Sequence, residues 1–111
     1  IRYSDVLLMA AEAYNRGGID DGLAQEFLNQ VRRRAFGDND HDISASGTAL
    51  TDAILEERKF ELSLEGHRFF DLVRTGRASS LIAGFVEGKH EVFPIPQQEV
   101  DVSGLTQNAG Y

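Results

Sequence analysis

Residues 1–37, IRYSDVLLMAAEAYNRGGIDDGLAQEFLNQVRRRAFG, decide the fold. Tyr3, Leu7, Ala10, Ala11 and Tyr14 recur at steps of three and four, which places them on one face of an α-helix over residues 2–16. Gly17 and Gly18 stop that helix. Asp20 or Asp21 is placed to cap the next one by accepting backbone N–H groups. The second helix then runs to about residue 35 and carries Leu23, Phe27, Leu28, Val31 and Ala35 on its apolar face, with Gly37 ending it. Two helices joined by a short glycine turn form a helical hairpin.

The hairpin partly matches a tetratricopeptide unit: Leu7, Ala11 and Tyr14 fit its first helix and Phe27 its second, while Leu23 and Gln30 fall where small alanines are expected. No second copy follows, so any repeat array belongs upstream. Residues 37–49, GDNDHDISASGTA, read as a polar, solvated loop with too little apolar surface for an element of its own. Its Asp38, Asp40 and Asp42 alternate as in a calcium loop, but Ile43 and Ala49 stand where an EF-hand needs glycine and glutamate. A third helix is expected from Thr51, interrupted at Gly66 and resumed from His67 to Arg74, with a short helix over residues 78–83. Beyond Phe85 the glycines and prolines break helical periodicity. Glu91, Val92 and Phe93 suit an extended segment, and Pro96 can open a single helical turn through Val100. The expected fold is therefore mostly α: a tetratricopeptide-like hairpin (1–36), a polar loop (37–49), a long kinked helix with a short one (50–84) and an irregular, loop-rich tail (85–111).

The charges of the third helix are its most informative feature. Arg58, Glu61, Glu65 and Arg68 are spaced three, four and three, so they stack on one side, with Glu57, Asp71 and Arg74 nearby. We read these seven as a structural salt-bridge network that fixes helices and tail in register, because a guanidinium fork can hold two oxygens at once. On this reading Arg58, Glu65, Arg68 and Asp71 clamp residues 93–96 to the helix. A solvated face is the plain alternative. A catalytic carboxylate pair at Glu57 and Glu61 is disfavoured, because neighbouring arginines lower a carboxyl pKa when a general acid needs it raised.

Other classes are excluded more simply. The formal net charge of −7 argues against nucleic acid, since phosphate binding needs a basic face. The single basic run, Arg32-Arg33-Arg34, ends a helix, where cations complement the macrodipole. Without cysteine there is no disulfide, thiolate metal site or cysteine nucleophile. No phosphate-binding glycine loop and no G-x-S-x-G elbow occurs. Glu87 and His90 have di-metal spacing, but as one copy in a glycine-flanked stretch. No cofactor and no metal site is expected, and the aromatic residues read as core. The chain begins at Ile1, inside a helix, which suggests a fragment of a longer protein.

Four ordered motifs together resemble the C-terminal part of the SusD/RagB family. Ile1-Arg2-Tyr3-Ser4-Asp5-Val6-Leu7-Leu8-Met9 with Ala11-Glu12-Ala13 looks like that family's "RYAEVLLMYAEA" helix, and Leu28-Asn29-Gln30-Val31-Arg32-Arg33-Arg34-Ala35 like its "LNxVRxRA". Glu57-Arg58, Glu61-Leu62, Glu65-Gly66-His67-Arg68 and Asp71-Leu72-Val73-Arg74 are similar to its "ER..EL..EG.R..DL.R". Phe93-Pro94-Ile95-Pro96, Glu99 and Gln107-Asn108-Ala109-Gly110-Tyr111 resemble "PIP..E" and "QNPGY". Thr75 and Ala109 depart from the family's usual Trp and Pro, at a cost in local packing. The resemblance implies a non-enzymatic, surface-exposed lipoprotein of the outer membrane, held by an N-terminal lipid anchor that these residues do not contain. It further implies binding of a glycan or other nutrient and hand-off to a SusC-like TonB-dependent transporter, with this segment mainly scaffold. No ligand-binding residue carries over. A tetratricopeptide-like protein–protein scaffold is the alternative.

Overall fold

A computed structural model describes all 111 residues. It is all-helical: α1 (Tyr3–Arg16), α2 (Asp21–Phe36), α3 (Gly47–Glu61), α4 (His67–Arg74), α5 (Ala78–Leu81) and α6 (Gln97–Ser103). The chain divides into two compact units, Ile1–Arg68 and Phe69–Tyr111.

In the first unit α1 packs against both α2 and α3, and α2 also meets α3. The faces set by periodicity supply the core. Leu7, Leu8 and Ala11 of α1 meet Ala24, Leu28 and Val31 of α2 and Leu50 and Ile54 of α3. Leu8, Leu28, Leu50 and Ile54 are completely buried, each contributing about 1.5–3 kcal/mol of burial. Tyr14 and Phe27 close one flank, their ring centroids 5.8 Å apart. Asp20 caps α2 as expected, its carboxylate accepting the Leu23 N–H at 2.9 Å. Gly37 ends α2 at φ 86°, a left-handed conformation that glycine adopts without penalty.

Three expectations need correction here. Residues 37–46 are not a merely solvated loop. Ile43 and Ala45 pack on the core, and Asn29 grips the loop with both ends of its amide, accepting from Ile43 N at 2.8 Å and donating to Ile43 O at 3.0 Å. Gln25 donates to Ala45 O at 2.8 Å, so polar side chains of α2 supply what the loop's few apolar residues cannot. Next, α3 starts at Gly47, four residues before Thr51. Asp21 accepts the Gly47 N–H at 2.6 Å and Asn15 donates to Gly47 O at 3.0 Å, which fastens that first turn from α1 and α2. Finally, the break near Gly66 is a full turn: residues 62–66 leave the helix, with Leu64 at φ 64° and Gly66 at φ 81°.

The second unit has little interior; Asp71, Leu72 and Ala78 are its buried residues. Thr75 Oγ1 donates to Asp71 O at 2.6 Å and so closes the end of α4. Helix α5 stops at Leu81, short of residue 83, and α6 extends past Val100 to Ser103. Glu91 and Val92 lie in a turn and bend, not in an extended segment. The cause is local: His90 Nδ1 accepts the Val86 N–H at 2.9 Å and the Glu91 carboxylate accepts that of Gly88 at 3.0 Å, which curls the backbone.

Candidate functional site

The acid–arginine ladder of α3 and α4 is where the sequence concentrates its chemistry. In the first unit its members reach across to other helices. Arg58 and Asp5 form a buried ion pair at 3.0 Å, joining α3 to α1, with both side chains 5% exposed. Glu57 is buried and accepts from Arg32 of α2 at 2.6 Å. Glu61 receives Arg2 at 2.9 Å and Arg34 of α2 at 2.5 Å. Glu65 receives Arg2 at 2.7 Å. Arg68 donates to Leu55 O at 3.5 Å, the outer limit of a hydrogen bond. In the second unit Asp71 pairs with Arg74 at 2.7 Å, one turn along α4.

The electrostatics follow from these partners. Burial pushes the Glu61 carboxyl up, but the Arg2 and Arg34 guanidiniums beside it outweigh that and hold the group below the ordinary carboxylate range. Hydrogen bonds to Glu65 and then Glu61 raise the Arg2 pKa further above its already high value. At the other end of the bundle, the Asn15 amide and the Gly47 N–H lower the Asp21 carboxyl. Thr51 Oγ1 donates to Asn15 Oδ1 at 2.5 Å and completes that node.

The basic triplet does more than complement a helix dipole. Arg32 takes Glu57, Arg34 takes Glu61, and Arg33 pairs with Asp42 and, at 3.3 Å, with Glu26. Asp42 of the aspartate-rich loop is therefore engaged by an arginine, while Asp38 accepts the Asp40 N–H at 3.0 Å. Across the chain no group of three or more His, Asp or Glu side chains is gathered as for a metal ion. Glu87 accepts from Ser79 Oγ at 2.5 Å, and His90 is committed to Val86, so the Glu87–His90 spacing serves loop structure.

The tail supplies partners for its own backbone. Gln107 accepts the Ile95 N–H at 2.8 Å and donates to Ile95 O at 2.7 Å. Asn108 donates to Phe93 O at 2.7 Å and Tyr111 OH to Val92 O at 3.0 Å. The Gln-Asn and Tyr of residues 107–111 thus latch the Phe-Pro-Ile-Pro stretch. Sequence reasoning missed Arg2, Asp5, Arg32, Arg34 and Gln107 as partners. For the last, an unexplained glutamine-asparagine pair beside two prolines was the available signal.

This architecture has known counterparts. The family model for the SusD family matches residues 1–82. SusD-like protein P38 of Formosa agariphila is 40% identical over 125 residues, covering 99% of this chain and 24% of that protein. SusD-like protein P25 of the same organism is 32% identical, covering 92% of this chain and 21% of that one. The crystal structure of a SusD homolog from Bacteroides thetaiotaomicron superposes with a TM-score of 0.86 at 34% identity, over 98% of this chain and 24% of that one. The chain belongs to the SusD family, and it spans about a quarter of the length of the relatives it matches.

Proposed function

We propose that this chain is scaffold within a non-catalytic, glycan- or nutrient-binding component of an outer-membrane uptake system. The whole protein passes its ligand to a SusC-like TonB-dependent transporter and is carried on the cell surface by an N-terminal lipid anchor. No helix here is long and apolar enough to cross a membrane, which is compatible with such an attachment. Family membership supports the general role. The observation that carries the scaffold reading is the pairing of the ladder's carboxylates in unit one: Glu57 and Glu61 each have arginine partners on α2. A glycosidase acid needs its proton held at neutral pH, and Glu61 is pulled the opposite way.

The test uses the full-length protein. Retention on one class of polysaccharide, co-purification with a TonB-dependent transporter, and no hydrolysis of the retained glycan are the expected results. Retention by a protein partner with no affinity for any polysaccharide would favour the protein–protein scaffold instead. Turnover abolished by Glu57→Gln or Glu61→Gln would establish an enzyme and end this reading.

A further inference from the structure

The second unit spends its aromatic residues on a hollow instead of a core. Phe69, Ile82, Phe85, His90, Phe93 and Tyr111 line one cavity of about 240 Å³. The rings adjoin one another: the Phe69 centroid lies 6.4 Å from that of Phe85 and 6.1 Å from that of Phe93, and Phe85 lies 5.7 Å from His90. Phe93 is 72% exposed and Tyr111 44%, although the sequence reads both as core. Rings grouped round a cavity and still open to water offer apolar faces to a ligand.

Phe85 also lines a second cavity of about 240 Å³, together with Val73, Ser79, Glu87 and Glu91. Here the chemistry turns polar. Glu87 accepts from Ser79 Oγ at 2.5 Å and Glu91 from the Gly88 N–H at 3.0 Å. One bond does not exhaust a carboxylate, so both keep acceptor capacity. His90 Nδ1 accepts the Val86 N–H at 2.9 Å, which leaves the proton of the neutral imidazole on Nε2 as a donor. Apolar rings beside a few polar groups are the make-up of a small-molecule site. Sites for larger organic ligands begin at roughly 300 Å³, so each cavity suits a single ring-sized unit.

Charge narrows the ligand. Lys89 Nζ stands over the Tyr111 ring, 4.7 Å from its centroid. The lysine stem is packed on Gly110, where an added Cβ would come within 3.1 to 3.2 Å of it. A cation is thus already held at the aromatic cavity and opposes a cationic ligand, while Glu87 and Glu91 oppose an anionic one. A neutral molecule with an apolar face and a hydroxyl-bearing edge remains, and a neutral pyranose has that form.

We propose that the two cavities sharing Phe85 form a subsite for a neutral glycan: one sugar ring lies against Phe69, Phe85 and Phe93, and hydroxyls of the same glycan donate to Glu87 and Glu91. This inference rests on the reading of the whole protein as glycan-binding and adds to it a place and a charge class.

The full-length protein is titrated calorimetrically with maltotetraose, cellotetraose, laminaritetraose, mannotetraose and, as the anionic probe, tetragalacturonate. Phe93 serves the tail latch through its carbonyl, not its ring, so Phe93→Ala spares the tail. At least one neutral tetrasaccharide should bind, Phe93→Ala should weaken it roughly five- to ten-fold, and Phe93→Tyr should restore it. Saturating the parent with that sugar should slow hydrogen exchange across residues 85–93. Unchanged affinity in Phe93→Ala, a loss that Phe93→Tyr does not restore, or protection that misses residues 85–93 would overturn the subsite and leave the glycan-binding reading standing. Binding of tetragalacturonate alone would do the same. Binding of none of the probes also overturns the subsite, and retention on polysaccharides then decides the wider reading separately.

Discussion

Residues 1–68 and residues 69–111 are held by different physics. The first unit has a continuous aliphatic core and ion pairs that run from helix to helix, two of them with both partners largely out of water. The second has three buried residues, and its irregular backbone is fixed by side-chain amides and a phenol. Burial is cooperative, because every core residue touches several others. A hydrogen-bond latch is local, and its loss frees only the segment it holds. The difference shows that one short chain can hold a regular bundle and a proline-rich tail by separate means.

That contrast can be broken or sharpened by substitution. The largest loss is expected for Arg58→Ala, which leaves the Asp5 carboxylate buried without its cation; about 3–5 kcal/mol should disappear in urea unfolding. Pairing Arg58→Met with Asp5→Leu should recover most of it, and failure to do so would show that the pair contributes more than mutual neutralisation. Leu28→Ala, at a completely buried position, should cost about 2–5 kcal/mol through lost burial and the cavity left behind. Gln107→Ala removes both bonds to Ile95 and should cost about 1–3 kcal/mol. Hydrogen exchange should quicken at Ile95 and its neighbours while the amides of α1 to α3 keep their protection; equal loss in both regions would collapse the distinction.

Acid sensitivity gives a subtler measure. The folded Glu61 carboxyl lies below its ordinary value of 4.5, so the folded state binds this proton less readily than the unfolded chain. Its stabilisation is complete above that ordinary value and fades as pH falls through the folded one. Glu61→Gln should therefore lower stability at pH 7 and narrow its difference from the parent below pH 4.5, as followed by thermal melts. The smallest effect is expected at Arg33→Ala, where partly exposed partners Asp42 and Glu26 make the loss no more than about 0.5–1 kcal/mol.

Much of the fold was legible in the sequence, because α1 and α2 carry long stretches of three-four periodicity bounded by Gly17, Asp20 and Gly37. That Arg58 and Glu61 share one side of their helix, with Glu57 nearby, was legible too, from their spacing. Their partners were not. Periodicity says which side of its own helix a residue occupies, whereas Asp5 and Arg32 meet α3 only through packing between helices. The early start of α3 was hidden for the same reason, since Asp21 and Asn15 fasten Gly47 from far away in the chain. The loop over residues 37–49 misled because its apolar content is low; its order comes from Asn29 and Gln25, whose amides look unremarkable on a helix. In the tail, Gln97 to Ser103 made a longer helix than one proline start foretold, and the curl at residues 86–91 depends on His90 and Glu91 taking backbone N–H groups.

The arginine triplet has an evolutionary consequence. Successive side chains on α2 are rotated by about 100°, so Arg32, Arg33 and Arg34 fan out from little more than half a turn toward Glu57, Asp42 and Glu61. Gaining or losing a single codon between Asp21 and Arg32 would swing all three off target together, as a key cut one notch out fails every pin at once. Length variation among natural versions of this segment should accordingly collect at residues 38–41 and spare the helix before the triplet.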